Sequence, residues 1–184
     1  ISTKEYSDRT SCTVGGKDQT NILSVIDQRT GRWAADRIVD EMFGVQEAHD
    51  PVFQFVEKGA IWAALEPAVM KEMQIRDRYI NIVAVASTKD KAIRARIFQR
   101  RHRAHAMRFD KDASWYPAYE AVLLKFTGSG AATVDDEFDS TSLLCRGFEQ
   151  MPEIEIEDFD TDEDIDMRRQ DPRRDQGRSL TTGY

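Results

Sequence analysis

The chain opens with two short runs rich in β-branched residues, TSCTV at 10–14 and NILSVI at 21–26, joined by Gly15-Gly16-Lys17-Asp18. That pattern predicts a β-hairpin turning at the glycines. A further turn cluster follows at 27–31. Over 36–43, Ile38, Val39, Met42 and Phe43 recur at helical spacing, and Gly44 is the expected stop. PVFQFVE at 51–57 reads as a buried strand punctuated by Gly59. A helix is expected over 60–73, where Pro67 predicts a kink or an interruption. INIVAV at 80–85 is the most strand-like stretch, apolar enough to lie inside a sheet. Ser87 and Thr88 suit the cap of a helix over 89–103. A short strand at 106–109, a helix at 115–126, a small-residue loop at 127–133 and a helix at 135–146 complete the pattern. Strands first, then helices alternating with strands, predict an α/β fold: a mixed sheet covered by helices on both faces. No internal repeat is present.

Charge changes this picture in two places. The formal net charge is −7, yet residues 148–184 alone hold twelve Asp and Glu against five Arg, so 1–147 are neutral. That tail, acidic and then basic, is expected to have no independent fold. Within 1–147 the charges are segregated: KDKAIRARIFQRRHR at 89–103 carries seven Lys or Arg and one Asp. A concentrated basic stripe of this kind suits a local polyanion partner. The cysteines, Cys12 and Cys145, lack metal-ligand spacing and read as ordinary reduced thiols of a soluble intracellular protein. No apolar run approaches a membrane span, and no signal-peptide pattern is present.

The candidate chemistry is carboxylate chemistry. Asp135, Asp136, Glu137 and Asp139 crowd the start of the last predicted helix. Asp135 and Asp139 are four apart and share a face, with Asp136 about a quarter-turn away. Acids in a first helical turn also complement the helix dipole, so simple capping competes with a ligand role. Glu57, at the end of its strand, is expected half-buried at the sheet edge. Together with the helix-start acids it would form an oxygen-rich site suited to hard divalent cations. Two such ions about 4 Å apart would clamp the attacking and leaving oxygens of a phosphodiester, and the basic helix would hold the nucleic-acid backbone.

These residues also resemble a known family. Lys89, Asp90, Lys91 and Arg94 form a K-D-K-x-x-R segment opening a basic helix. A short strand, a Trp-containing helix ending at 123–126, a small loop and then Asp135, Asp136, Asp139 and Ser140 as D-D-x-x-D-S follow in order. With FQFVEKG upstream and SDRTSCTVGGKDQTNILSVIDQRTGRW as the opening hairpin, the chain to about residue 148 resembles the C-terminal nuclease domain of the large terminase subunit of tailed bacteriophages. The resemblance implies a ribonuclease H-like fold and a Mg²⁺- or Mn²⁺-dependent endonuclease, using two ions, that cuts concatemeric double-stranded viral DNA during packaging into the procapsid. It implies Glu57 and Asp136 as catalytic metal ligands, completed by Asp135 or Asp139, with Lys89, Lys91, Arg94, Arg100 and Arg101 on the DNA. Implied partners are double-stranded DNA, the portal protein, the small terminase subunit and an N-terminal ATPase domain. No Walker-type motif for such a motor lies in this chain. The implied location is the cytoplasm of the infected bacterium, at the procapsid portal.

One departure stands out. The family's first-strand Asp has no counterpart here and would precede Ile1, with Asp8 as the weaker substitute. Rival readings are another ribonuclease H-like nuclease such as a junction resolvase, and a non-catalytic docking module of a packaging machine. His102 and His105 read as surface residues, and Trp33, Trp62 and Trp115 as packing residues.

Overall fold

The computed structural model describes residues 9–86, 91–125 and 136–151, with 91–95 by backbone alone. In chain order these residues form β1 (Thr10–Lys17), β2 (Leu23–Gly31), α1 (Ala35–His49), β3 (Gln54–Lys58), α2 (Ala60–Ile75), β4 (Ile82–Ala86), α3 (Lys91–Arg103), β5 (Met107–Phe109), α4 (Tyr116–Lys125) and α5 (Asp136–Gln150). The fold is α/β with mixed strand pairing. β1 and β2 are antiparallel, β5 adds parallel to β2, and β3 and β4 form a separate parallel pair. The single sheet expected from the sequence is thus divided among the described residues, and α5 lies against β1, β2, β3 and β4. The tail at 152–184 and the loop at 127–133 lie outside the described residues, and no helix among those described is long and apolar enough to cross a membrane.

The hairpin differs from expectation in an informative way. β1 continues through the predicted turn to Lys17, and the chain reverses at 18–22 instead. There the Asp18 carboxylate accepts the Ile22 N–H (2.9 Å) and the Thr20 hydroxyl (2.7 Å), while Asn21 takes a left-handed φ of 63°. Gly15 serves close approach: a Cβ there would sit 2.8 Å from Leu144 Cδ2 and from Ser24 O. The register runs Val14↔Asp27, then Gly15↔Val25, so Ile26 is an extra residue. Such a bulge resets the alternation of faces. Leu23 and Val25 therefore share a face with Gln28 and Thr30, and α5 covers that face: Leu23 packs with Leu144, and Gln28 bonds Ser11 and Thr13 beneath Ser140.

Two helices also run further than predicted. α1 passes through Gly44 to His49, because Val45 and Gln46 are buried and a mid-helix glycine costs only about 1 kcal/mol. α2 is continuous through Pro67. Pro67 and Ala63 are both exposed, so the carbonyl that Pro67 cannot bond faces water.

Packing follows the strand alternation. Val56 joins a core of Val39, Phe43, Trp62, Val69, Met73 and Ile80 under α1 and α2, whereas its neighbour Phe55 packs with Leu23, Leu144 and Cys145 under α5. Helices therefore cover both faces of β3. A third cluster joins Phe98 of α3 to Phe138 of α5, with ring centroids 5.2 Å apart.

The other face of the hairpin is polar and docks α1. Arg29 bridges Asp27 (3.0 Å) and Glu41 (3.4 Å), and His49 Nε2 lies 3.0 Å from Asp27 Oδ2. Desolvation alone would raise the Asp27 pKa. Hydrogen bonds from His49, Arg29 and the Gln28 N–H outweigh it and hold the carboxyl below its ordinary value. A depressed folded-state pKa stabilises the fold above the unfolded value of about 3.9, and that contribution is lost as pH falls through the folded value. Urea unfolding of Asp27→Asn should accordingly show a loss on the order of 1–3 kcal/mol near pH 6 that shrinks below about pH 4; a loss independent of pH would contradict the network.

Both thiols belong to these layers. Burial pushes Cys12 up to about 11 despite Arg29, and burial pushes Cys145 up to about 12. The thiolate is the nucleophile, so at pH 8 iodoacetamide should label neither in the folded protein and both in urea, as read by intact mass.

Candidate functional site: a helix start beside a strand end

Glu57 is the next-to-last residue of β3, paired in register with Val85 of β4. It stands on the same face as Phe55, two residues earlier, and so faces α5. Its side chain is 43% exposed. Arg146, buried on α5, reaches it: Nη2 is 3.7 Å from Glu57 Oε1, while Nη1 donates to the Ala86 carbonyl at 2.9 Å. One guanidinium thereby straps the C-terminal ends of both parallel strands to α5. Beside it, Gly147 comes so close to Phe55 that an added Cβ would lie 2.5 Å from the ring.

The acids sit at the other end of the same helix. Asp136, Glu137 and Asp139 occupy the first turn of α5. Asp139 and Arg146 are seven residues apart, two turns, and share a face. A helical Arg side chain leans toward its helix N-terminus, and about 10 Å of helix separates the Arg146 backbone from that of Asp139. Asp136 and Asp139 are partly exposed. Glu137 is more enclosed: it is 5% exposed, turns inward and pairs with Arg9 at 2.8 Å, and among the described residues its buried Oε2 has no hydrogen-bond partner.

What holds this helix start in place is a layer of hydroxyls. Ser140 Oγ lies 2.7 Å from Thr13 Oγ1 and 3.1 Å from Ser11 Oγ; Thr141 Oγ1 lies 2.8 Å from the Tyr119 hydroxyl. Gln28 links Ser11 and Thr13 from β2. The strip of hairpin that α5 covers grades from apolar at Leu23 to hydroxylic at Ser11 and Thr30, matching the grade along α5 from Leu144 to Ser140. Burial, against the hydrogen bond shared with Thr141, pushes the Tyr119 phenol well above its ordinary value, so it stays protonated in this layer.

The sequence-predicted residues are therefore distributed unevenly. Glu57, Asp136 and Asp139 lie on two elements joined by Arg146. Asp135, Lys89 and Asp8 lie outside the described residues, and Lys91 and Arg94 are described by backbone alone. Arg100 is exposed on α3 and ion-paired with Glu149. Arg101 corrects the expected DNA-contact set: it is 8% exposed, and its guanidinium donates to the carbonyl and side-chain oxygens of Asn21. Its helical phase explains this, since Arg101 follows Phe98 by three residues and shares that buried face. His102 and His105 are exposed, and Trp62 is in the core. Sequence reading missed Arg146, because a lone Arg in an apolar helix run carries no signal of what it straps.

The donor set is all oxygen, which suits Mg²⁺ or Mn²⁺ chemically. Among the described residues no three His, Cys, Asp or Glu side chains gather closely enough to hold one ion. No protein-family model, curated protein or solved structure matches the chain.

Proposed function

We propose that the protein is a divalent-metal-dependent endonuclease of ribonuclease H-like type, acting on double-stranded DNA during viral genome packaging, as the sequence resemblance to terminase nuclease domains implies. The observation that supports this reading best is the strap: Arg146 ties Glu57, at the end of a parallel strand, to the helix whose first turn carries Asp136 and Asp139. A divalent ion, when bound, supplies Lewis-acid activation of water and charge neutralisation at the phosphodiester. The resemblance implies Glu57, Asp136 and Asp139, with Asp135, as the groups that would hold it, and the three among the described residues would have to draw together to do so. Arg146 places a buried cation of α5 at 3.7 Å from the Glu57 carboxylate, and the hydroxyl layer under Ser140 fixes the helix start.

Incubation of the purified protein with supercoiled plasmid tests the proposal. Mn²⁺ or Mg²⁺ should yield nicked and linear products, and chelator should stop their formation. Absence of cutting with either ion would refute the enzyme reading in favour of a docking module. Preference for four-way junctions over linear duplex would redirect it to a resolvase.

A further inference from the structure

Helix α3 has two unlike faces. Phe98 and Arg101 turn inward, the first onto Phe138 and the second onto Asn21. Arg96, Arg100 and Arg103, spaced four and three apart, share the outward face. With Ile97, Gln99 and Ala104 they line a shallow groove of about 600 Å³. Of these three arginines Arg100 is ion-paired, with Glu149 in the last turn of α5. Arg96 and Arg103 are exposed and have no ion pair among the described residues.

We propose that this groove seats the phosphate backbone of duplex DNA, and that Glu149 is a built-in competitor for Arg100. Three guanidinium groups on one face, rising by about 6 and 4.5 Å along the helix, offer charge and paired donors to successive phosphates. Among the described residues the groove has no aromatic lining on which splayed bases could stack, which favours a duplex backbone over a single strand. The Arg100–Glu149 pair is solvent-exposed on the arginine side (71%) and one-third exposed on the glutamate side. Such pairs are weak, so a polyanion can displace the glutamate and recover the arginine. The choice of DNA as the polyanion rests on the nuclease reading; the groove and its competitor do not.

Fluorescence anisotropy of a labelled duplex, with the full chain in chelator so that no cutting occurs, provides the test across a series of KCl concentrations. Arg96→Ala and Arg103→Ala should each flatten the slope of log K against log salt by about 0.9. Glu149→Gln should tighten binding about two- to five-fold at low salt, and Lys111→Ala, on an exposed loop, should change neither. An unchanged slope in the Arg96/Arg103 double variant would overturn the proposal, as would weaker binding by Glu149→Gln. Tighter binding of single-stranded DNA or of polyglutamate than of duplex would also overturn it, naming a different occupant. Groove-dependent binding without metal-dependent nicking would sink the nuclease reading alone. Nicking with groove-independent binding would sink this inference alone.

Discussion

Asp136→Asn is expected to abolish metal-dependent plasmid nicking while leaving the protein folded. The substitution keeps side-chain shape and removes one anionic oxygen donor. Losing a residue that merely supports a metal ligand typically costs about 10- to 100-fold in affinity or activity, so losing a ligand should cost at least about 100-fold. The competing role for Asp136 is to complement the positive end of α5, where a first-turn acid contributes about 0.3–1 kcal/mol and takes no part in chemistry. The two roles separate cleanly: a cap lowers the unfolding midpoint slightly and spares cutting, whereas a ligand spares the midpoint and stops cutting. Glu57→Gln should behave like Asp136→Asn, because Arg146 holds both elements in one frame. Nicking rates and urea midpoints for the two variants, measured on the same preparations, decide between the roles. Full activity in Asp136→Asn would remove this carboxylate from the site.

Gly147→Ala should be strongly destabilising. Its Cβ would lie 2.5–2.6 Å from three carbons of the Phe55 ring, and that ring is also held edge-on by Phe148, with centroids 5.8 Å apart. Overpacking typically costs 1–3 kcal/mol; with a ring clamped from two sides we expect about 3 kcal/mol. The displacement should also reach chemistry. Phe55 and Glu57 share one face of a five-residue strand, and Gly147 adjoins Arg146, so a shift of α5 at this point moves the strap. Phe55→Leu in the Gly147→Ala background should restore part of the stability, giving a coupling energy that neither single change predicts. Additive losses in that double variant would show that the two residues do not meet.

Most elements were legible because local signals survive in a single sequence: 3.6-residue spacing marked α1, a Ser-Thr cap marked the start of α3, and continuous apolar runs marked β3 and β4. The turn of the hairpin was not. Gly15 and Gly16 carry the same signature whether they bend a chain or make room for Leu144, and only the tertiary partner distinguishes the two uses. Arg101 was misassigned for a related reason: counting basic residues along α3 ignores phase, although Phe98 three residues earlier already marked the buried side. The acids of the candidate site were visible as a cluster. Their attachment was not, because it depends on Arg146 meeting a strand end almost ninety residues upstream.

The position of α5 in the chain sets a schedule for synthesis. Ser11 finds its partner Ser140 only after 129 further residues have been made, which at ribosomal rates of about 5–20 residues per second is a wait of roughly 6–26 s. During that interval the nascent hairpin presents Leu23 and Val25 to solvent beside its hydroxyl row, with nothing from α5 to cover them. Hydrophobic strands held open for so long are natural clients of a ribosome-bound chaperone. The hydroxyl end of the same strip is wetted meanwhile, and this keeps half of the waiting surface from sticking to itself.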